Sequence, residues 1–355
     1  MQFKFPQTKP MLVPYINKTN DGVHFGGFQE NIAREIIVDD PKMLYSFLLT
    51  LNGNNSVEKI SELNDMKMSD VIDLLKSLQK AGVIFENDNS NLDFSPEEEL
   101  IYSRNLNFFA WIDTEGKFYN YWEVQKRLKY ASVLVLGAGG AGGNCAISLA
   151  ELGIGHLTIL DKDKVELSNL NRQPYTIYDI GKFKVDAIKK HILDRNPFIE
   201  VKSIQREIKT LADLENIGKN FDIILDGIDV PKEFPDVLDE YNKKYGTPWI
   251  LGGYASTVVN HAFFDGSTEK FLSHLKKEHS EDFDGSQIDK ETNWSWKNAV
   301  ISPVTQVSAA FSALYAMYYL TGLRDLIPGA VQHIDMFNIQ DMKNFTYILG
   351  DYNAK

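Results

Sequence analysis

The six residues Gly137-Ala138-Gly139-Gly140-Ala141-Gly142 constrain this chain more than any other stretch. They follow a short apolar run, Ser132–Leu136, and open a helix-forming segment that reaches Leu152. Glycines at this spacing between a strand and a helix let the backbone approach a phosphate, because no Cβ stands in the way. The N-terminus of the helix favours the negative charge. A second apolar run, His156–Leu160, ends at Asp161. A carboxylate there is placed to accept hydrogen bonds from ribose hydroxyls. From about residue 100 onward, strand and helix signals alternate as in an α/β domain. Taken alone, these features fit a dinucleotide or ATP equally, and a nicotinamide-dependent oxidoreductase remains open.

The segment after Asp161 narrows the choice. LDKDKVELSNLNRQPYTIYDIGKFKVDA contains an Asp-x-Asp pair, then Ser-Asn-Leu-x-Arg-Gln, then Asp-Ile-Gly-Lys-x-Lys. ILDGIDV follows later with Asp229, and YSRN stands upstream at Tyr102–Asn105. Together these motifs, in consistent order along the chain, resemble the ThiF/MoeB superfamily, the ubiquitin-activating type, over roughly residues 100–340. The resemblance implies an α/β fold with a Rossmann-like doubly wound sheet, ATP and Mg²⁺ as cofactors, and a homodimer. It places Arg104, Arg172, Lys184 and Asp229 in catalysis. Arg104 would be an arginine finger crossing the dimer, and Asp229 would hold Mg²⁺, a hard ion suited to carboxylate oxygens. Gly137, Gly139, Gly140 and Gly142 would cradle the nucleotide. Asp161 would grip the ribose with Asp163 beside it, and Asn169 and Gln173 would orient phosphate and substrate. The chemistry is coherent: activating a carboxylate with a triphosphate brings anions together, and Arg172 and Lys184 supply the compensating charge. Each assignment has a plainer alternative. Arg104 and Lys184 also suit surface ion pairs, and Asp229 suits a helix cap.

The one cysteine, Cys145, sits just after the glycine loop, where a small packing residue is expected. Without paired Cys-x-x-Cys motifs no zinc is expected, and no cysteine follows to carry a thioester or sulfur. A chain with one cysteine suits a reducing cytoplasm. What remains are relatives acting on a peptide carboxyl group, and the chain resembles the microcin C and pantocin-type peptide-modifying enzymes. The expected function is ATP- and Mg²⁺-dependent activation of a carboxylate in a ribosomally made precursor peptide, driving intramolecular condensation or cyclisation. The alternatives are microcin C-type nucleotidylation of a peptide C-terminus, the nicotinamide-dependent oxidoreductase, and a non-enzymatic peptide-binding scaffold.

Residues 1–88 read as a separate unit. Met11–Ile16, Val23–Phe25 and Glu35–Val38 are strand candidates, followed by helices begun at Asp40-Pro41, Ser56 and Ser69 and a returning strand at Val83–Glu86. This order resembles a winged helix. Residues 1–95 carry nine Lys and Arg against thirteen Asp and Glu, so a nucleic-acid surface is not expected. A peptide-recognition domain that takes the leader of the precursor as an added strand is expected instead; a domain that only packs on its neighbour is the plainer reading. Residues 89–99 read as a linker, and 100–355 as the ATP-binding catalytic domain. The whole chain has a net charge of −12, which does not attract nucleic acid or anionic membrane. The apolar stretch Val304–Leu320 contains Thr305, Gln306, Ser308 and Ser312, and reads as a buried helix rather than a membrane span. No signal pattern opens the chain. Residues 266–298 read as a crossover loop, and His261, His274 and His279 as solvent-facing loop histidines. Tyr254, in GGYAS, is a substrate contact or an ordinary packed tyrosine.

Overall fold

The computed structural model describes residues 3–27, 29, 31–90, 92–228, 233–268, 270–271, 273 and 299–349. The chain divides into two units, Met1–Arg127 and Leu128–Lys355.

The first unit begins with four short strands: β1 (Pro6–Thr8), β2 (Tyr15–Ile16), β3 (Gly22–Phe25) and β4 (Arg34–Ile37). Helices α1 (Pro41–Thr50), α2 (Val57–Leu63) and α3 (Met68–Lys80) follow, then β5 (Ile84–Glu86). β2, β3 and β4 form an antiparallel sheet, while β1 pairs with β5. The helix starts are legible in the sequence. Asp40 accepts from the amides of Lys42 and Met43, and Ser56 accepts from that of Lys59. α3 buries Val71, Leu75 and Leu78 at helical spacing and stops before Gly82, which takes φ +69°. These side chains join Phe25, Phe47 and Ile60 in one core. The expected strand over Met11–Ile16 is broken. Pro10–Leu12 forms a 3-10 turn and only Tyr15–Ile16 pairs. Proline at 10 and at 14 removes the amides a continuous ladder needs.

Two further helices, α4 (Pro96–Ile112) and α5 (Tyr121–Tyr130), alter the expected boundaries. α4 starts inside the expected linker, because Ser95 and Glu98 form a reciprocal capping box and Pro96 occupies the first turn. The division between the units falls after Arg127 rather than between 88 and 100. Long-range contacts account for this. Trp111 packs against the core of the first unit, and Lys9 Nζ donates to the Asp113 carbonyl at 2.7 Å. Arg34 donates to the carbonyls of Ala81 and Thr114.

The second unit is built on an eight-stranded sheet in the order β13-β12-β11-β10-β9-β6-β7-β8. Its strands are β6 (Ser132–Leu136), β7 (His156–Leu160), β8 (Glu200–Ile204), β9 (Ile223–Asp226), β10 (Trp249–Ala255), β11 (Val258–Phe264), β12 (Ala330–Asp335) and β13 (Lys343–Ile348). β8, β7, β6, β9 and β10 are parallel, and β11 to β13 add antiparallel. The helices are α6 (Gly140–Leu152), α7 (Lys184–Leu193), α8 (Leu211–Glu215), α9 (Phe234–Tyr245) and α10 (Ser302–Thr321). After β6 the chain builds outward through β7 and β8, then returns to β6 on its other side as β9. That reversal opens a crevice at the carboxyl ends of the strands.

α10 is the expected buried helix, and its small residues explain its close approach. Ser308 Oγ donates to the Gly253 carbonyl at 3.1 Å. A Cβ on Gly252 would overlap Ser312 Oγ. Among the described residues no helix is long and apolar enough to cross a membrane. Most of the expected crossover loop, with His274 and His279, lies outside the described residues. His261 is not a loop residue. It lies in β11 with 0% exposure, stacked on Phe311 with 4.8 Å between ring centroids. Val259, His261 and Phe263 stand two residues apart and so share one face of the strand, with Val259 and Phe263 buried beside the ring.

Candidate active site

A cleft of about 670 Å³ opens at the carboxyl ends of β6, β7, β9 and β10. The four expected glycines have four different surroundings. Gly137 takes φ +86°, and a Cβ there would stand 2.6 Å from the Gly227 carbonyl oxygen. A Cβ on Gly139 would meet only Gln173 Nε2, at 4.0 Å, so this residue faces the open cleft. On Gly140 it would stand 2.8 Å from both the Tyr254 hydroxyl and the Thr305 methyl. On Gly142 it would overlap the Gly137 carbonyl oxygen. Gly142 therefore serves close packing of α6 on its own loop.

The loop is fixed from several directions. The Ala138 amide donates to Asp161 Oδ2 at 2.8 Å, and the Tyr175 hydroxyl donates to the Ala138 carbonyl at 2.7 Å. Asn144 Nδ2 donates to the carbonyls of Gly140 and Arg172, at 2.7 and 3.1 Å. Asp161 also accepts from the Asp163 amide at 2.8 Å, so both its oxygens are oriented by backbone groups. Each retains a second lone pair for a ribose hydroxyl.

Lys184 opens α7 and is 7% exposed. Its Nζ lies 3.1 Å from Asp163 and 3.9 Å from Asp161. The cation thus reaches the cleft already paired with the two acidic residues of the Asp-x-Asp motif. Arg172 lines the cleft with Nη1 donating to the Ser168 carbonyl and Asn171 Oδ1, both at 2.8 Å. Gln173 also lines it, with Oε1 buried and lacking a partner among the described residues. Asn169 is turned inward, and its Oδ1 accepts from the Glu166 amide at 3.0 Å. It shapes the 3-10 turn Leu167–Asn169 that presents Arg172 and Gln173.

Residues 102–349 match the ThiF family. The chain is a ThiF-family protein. It is 40% identical over 137 residues to a probable molybdopterin-synthase adenylyltransferase of Porphyra purpurea, covering 38% of this chain and 33% of that one. The match thus spans about a third of that relative's length. E. coli MccB, solved with AMPCPP and MccA, superposes with a TM-score of 0.73 at 22% identity over 98% of each chain. PaaA superposes with a TM-score of 0.73 at 23% identity, covering 95% of this chain and 98% of that one. At these identities the likeness establishes a shared fold.

Within the ThiF sheet, the expected Asp229 lies outside the described residues, and β9 ends three positions earlier at Asp226. Asp226 is 5% exposed and lines the cleft, with Oδ1 accepting from the Ile228 amide at 3.1 Å. The sequence carried a signal for it, since an apolar run ending in Asp at a parallel strand's carboxyl end points into the crevice. Arg206, Glu207 and Ile208, after β8, also line the cleft and had no motif to announce them. Arg104 belongs to the first unit, where it is exposed on α4. The Asp-Ile-Gly-Lys-x-Lys motif contributes an unforeseen anchor, Asp179. Burial alone would raise its pKa. The Thr176 amide, His191, the Thr176 hydroxyl and Lys182 hold it well below the usual carboxylate range. It ties the turn before α7 to that helix, His191 Nε2 lying 2.7 Å from Oδ2, and so helps place Lys184. Cys145 is buried, and burial pushes its thiol pKa far up, which suits packing rather than nucleophilic attack.

Proposed function

We propose that this ThiF-family chain uses ATP and Mg²⁺ to activate a carboxylate of a ribosomally made precursor peptide, and that activation drives a pantocin-type intramolecular condensation. One observation carries the reading. A single cleft joins an open glycine at the start of α6, a carboxylate at the end of β7, and two cations, Arg172 and Lys184. Two cations lining one cleft with the glycine loop suit the charge of a triphosphate meeting a carboxylate.

The substrate carboxylate attacks the α-phosphorus of ATP. A carboxyl oxygen–phosphorus bond forms, and the bond to the β-phosphate oxygen breaks as pyrophosphate leaves with the electron pair. A nitrogen of the same peptide then attacks the acyl carbon and AMP leaves, so the net change in the peptide is loss of water. Arg172 and Lys184 offset the phosphate charge, and the first amides of α6 receive an equatorial oxygen. Asp161 holds the ribose, while Asn169 keeps the Arg172–Gln173 turn in shape. The oxygen donors of Asp226, together with Asp229, suit Mg²⁺, which when bound would draw charge from the phosphates. Arg104 acts across a homodimer.

The first unit takes the leader as an added strand. β2 and β4 are the outer strands of its small sheet, and Ile37 on β4 is 61% exposed. Microcin C-type nucleotidylation is the second reading, supported by the whole-length fold likeness to MccB. Mass spectrometry of a candidate precursor peptide carrying glutamate side chains and a free C-terminus, incubated with the full chain and ATP·Mg²⁺, separates the two. Condensation removes the mass of water, whereas nucleotidylation adds a nucleotidyl group. Stabilisation by NAD and not by ATP·Mg²⁺ in a thermal shift would overturn both.

A further inference from the structure

We infer that Tyr254 is a catalytic residue whose hydroxyl donates a hydrogen bond to the carboxyl group at the moment it joins the α-phosphate. The inference rests on the carboxylate-activation reading and goes beyond it by assigning a group that none of the family motifs contains.

Tyr254 lies near the end of β10, two residues beyond Gly252 and hence on the same face of the strand. Ser312 of α10 closes the space over Gly252. Further along, the Tyr254 phenol extends until its oxygen lies 2.8 Å from the position a Cβ of Gly140 would take. The Thr305 methyl lies at the same distance, and Thr305 Oγ1 donates to the Arg172 carbonyl at 2.9 Å. Gly140 is therefore side-chain-free to admit two protein groups, while its neighbour Gly139 is free toward the cleft. Tyr254, Thr305 and the Arg172 backbone make one wall at the glycine-loop end.

Sheet order fixes what that wall faces. Asp161 and the residues after β8 lie on the far side of β6, so the nucleoside extends that way. The phosphate chain lies over the glycine loop, and the peptide carboxylate enters from the β10 side, where Gly253 and Tyr254 line the cleft. A phenol there is a neutral donor. It strengthens its hydrogen bond as charge spreads over the carboxyl and phosphoryl oxygens, and it gives up no proton. The buried Oε1 of Gln173 is an acceptor in the same cleft, suited to an N–H beside the activated group.

The test uses full-length protein and two probes, AMP and a glutamyl sulfamoyladenosine, an inert mimic of an acyl adenylate. Isothermal titration should show Tyr254→Phe binding AMP within about twofold of wild type and the mimic about tenfold more weakly, as for loss of one well-placed hydrogen bond. Unchanged affinity for the mimic in Tyr254→Phe, or equal losses for both probes, would overturn the assignment alone. A wild-type protein that binds the mimic no tighter than AMP would overturn the activation reading and the assignment with it.

Discussion

Gly139 and Gly142 stand three positions apart in one motif, the first capping α6 and the second in its first turn, and have opposite surroundings. A methyl group at 139 projects into open cleft, and one at 142 meets a backbone carbonyl that cannot move aside. Gly139→Ala should therefore keep its thermal midpoint and lose ATP affinity, by roughly tenfold if the methyl displaces one phosphate contact. Gly142→Ala should lose about 1–3 kcal/mol of stability through overpacking. Thermal denaturation and ATP titration on both variants check the contrast; equal stability of the two would remove the packing role given to Gly142. The sequence showed all four glycines as one motif. Their separate tasks depend on what stands opposite each one: the Gly227 carbonyl after β9 for Gly137, Gln173 for Gly139, Tyr254 and Thr305 for Gly140, and the Gly137 carbonyl for Gly142.

At the scale of elements, two buried bases make stability depend on pH. Lys9 is fully buried against the turn after α4. Burial, opposed by Asp113 and assisted by Arg34, lowers its pKa from 10.5 to about 7. The Asp113 carboxylate accepts from the amides of Lys117 and Phe118 and from the Tyr121 hydroxyl, so the facing groups are Arg34, Asp113 and Tyr121. Between pH 7 and about 10 the unfolded chain binds a proton that the folded chain does not. Stability of the first unit therefore rises with pH across that window. Lys9→Met should flatten the rise in urea midpoints; an unaltered slope would show that another group carries it. His261 acts in the acid range. Burial, and secondarily His333, lowers its pKa from 6.5 to about 4. Stability is lost as pH falls through that interval, because the unfolded chain protonates first. His261→Leu should shift the acid unfolding midpoint downward. A midpoint that stays in place would exclude His261 as the acid-sensitive group. Both bases were visible as residue types, but only the packing of α4 and of β11 buries them.

At the scale of the whole molecule, the two units carry different expected tasks, and the homodimer proposal joins them. Arg104, exposed on α4, is the residue proposed to cross between copies. Mixed assemblies of Arg104→Ala and Asp229→Ala chains should regain about half of wild-type turnover per mixed dimer, since one of its two sites holds both native groups. Native mass spectrometry establishes that subunits exchange, and turnover of the peptide measures recovery. Exchange without recovery would place Arg104 outside the partner copy's site. The unit boundary also bears on truncation. Removing residues 1–88 would strip Trp111 and Asp113 of their packing and of the Lys9 contact. Leader recognition is better tested by changing the exposed β4 edge in the full-length chain.

The sequence alone determined what depends on neighbours along the chain. Strand–glycine loop–helix, the Asp at the end of β7, the caps Asp40 and Ser56, and the stop at Gly82 are local choices of backbone freedom and hydrogen bonding. The ThiF motifs are local in the same sense, and they led to the cleft-lining Arg172, Gln173 and Lys184. Tertiary structure decided whatever joins distant segments. It assigned α4 to the first unit through Lys9 and Arg34, buried His261 under α10, and brought Asp226 and Tyr254 to the glycine loop. These contacts span tens to hundreds of residues, and no local propensity encodes them. They follow from which faces the sheet and helices must cover to remove apolar surface from water.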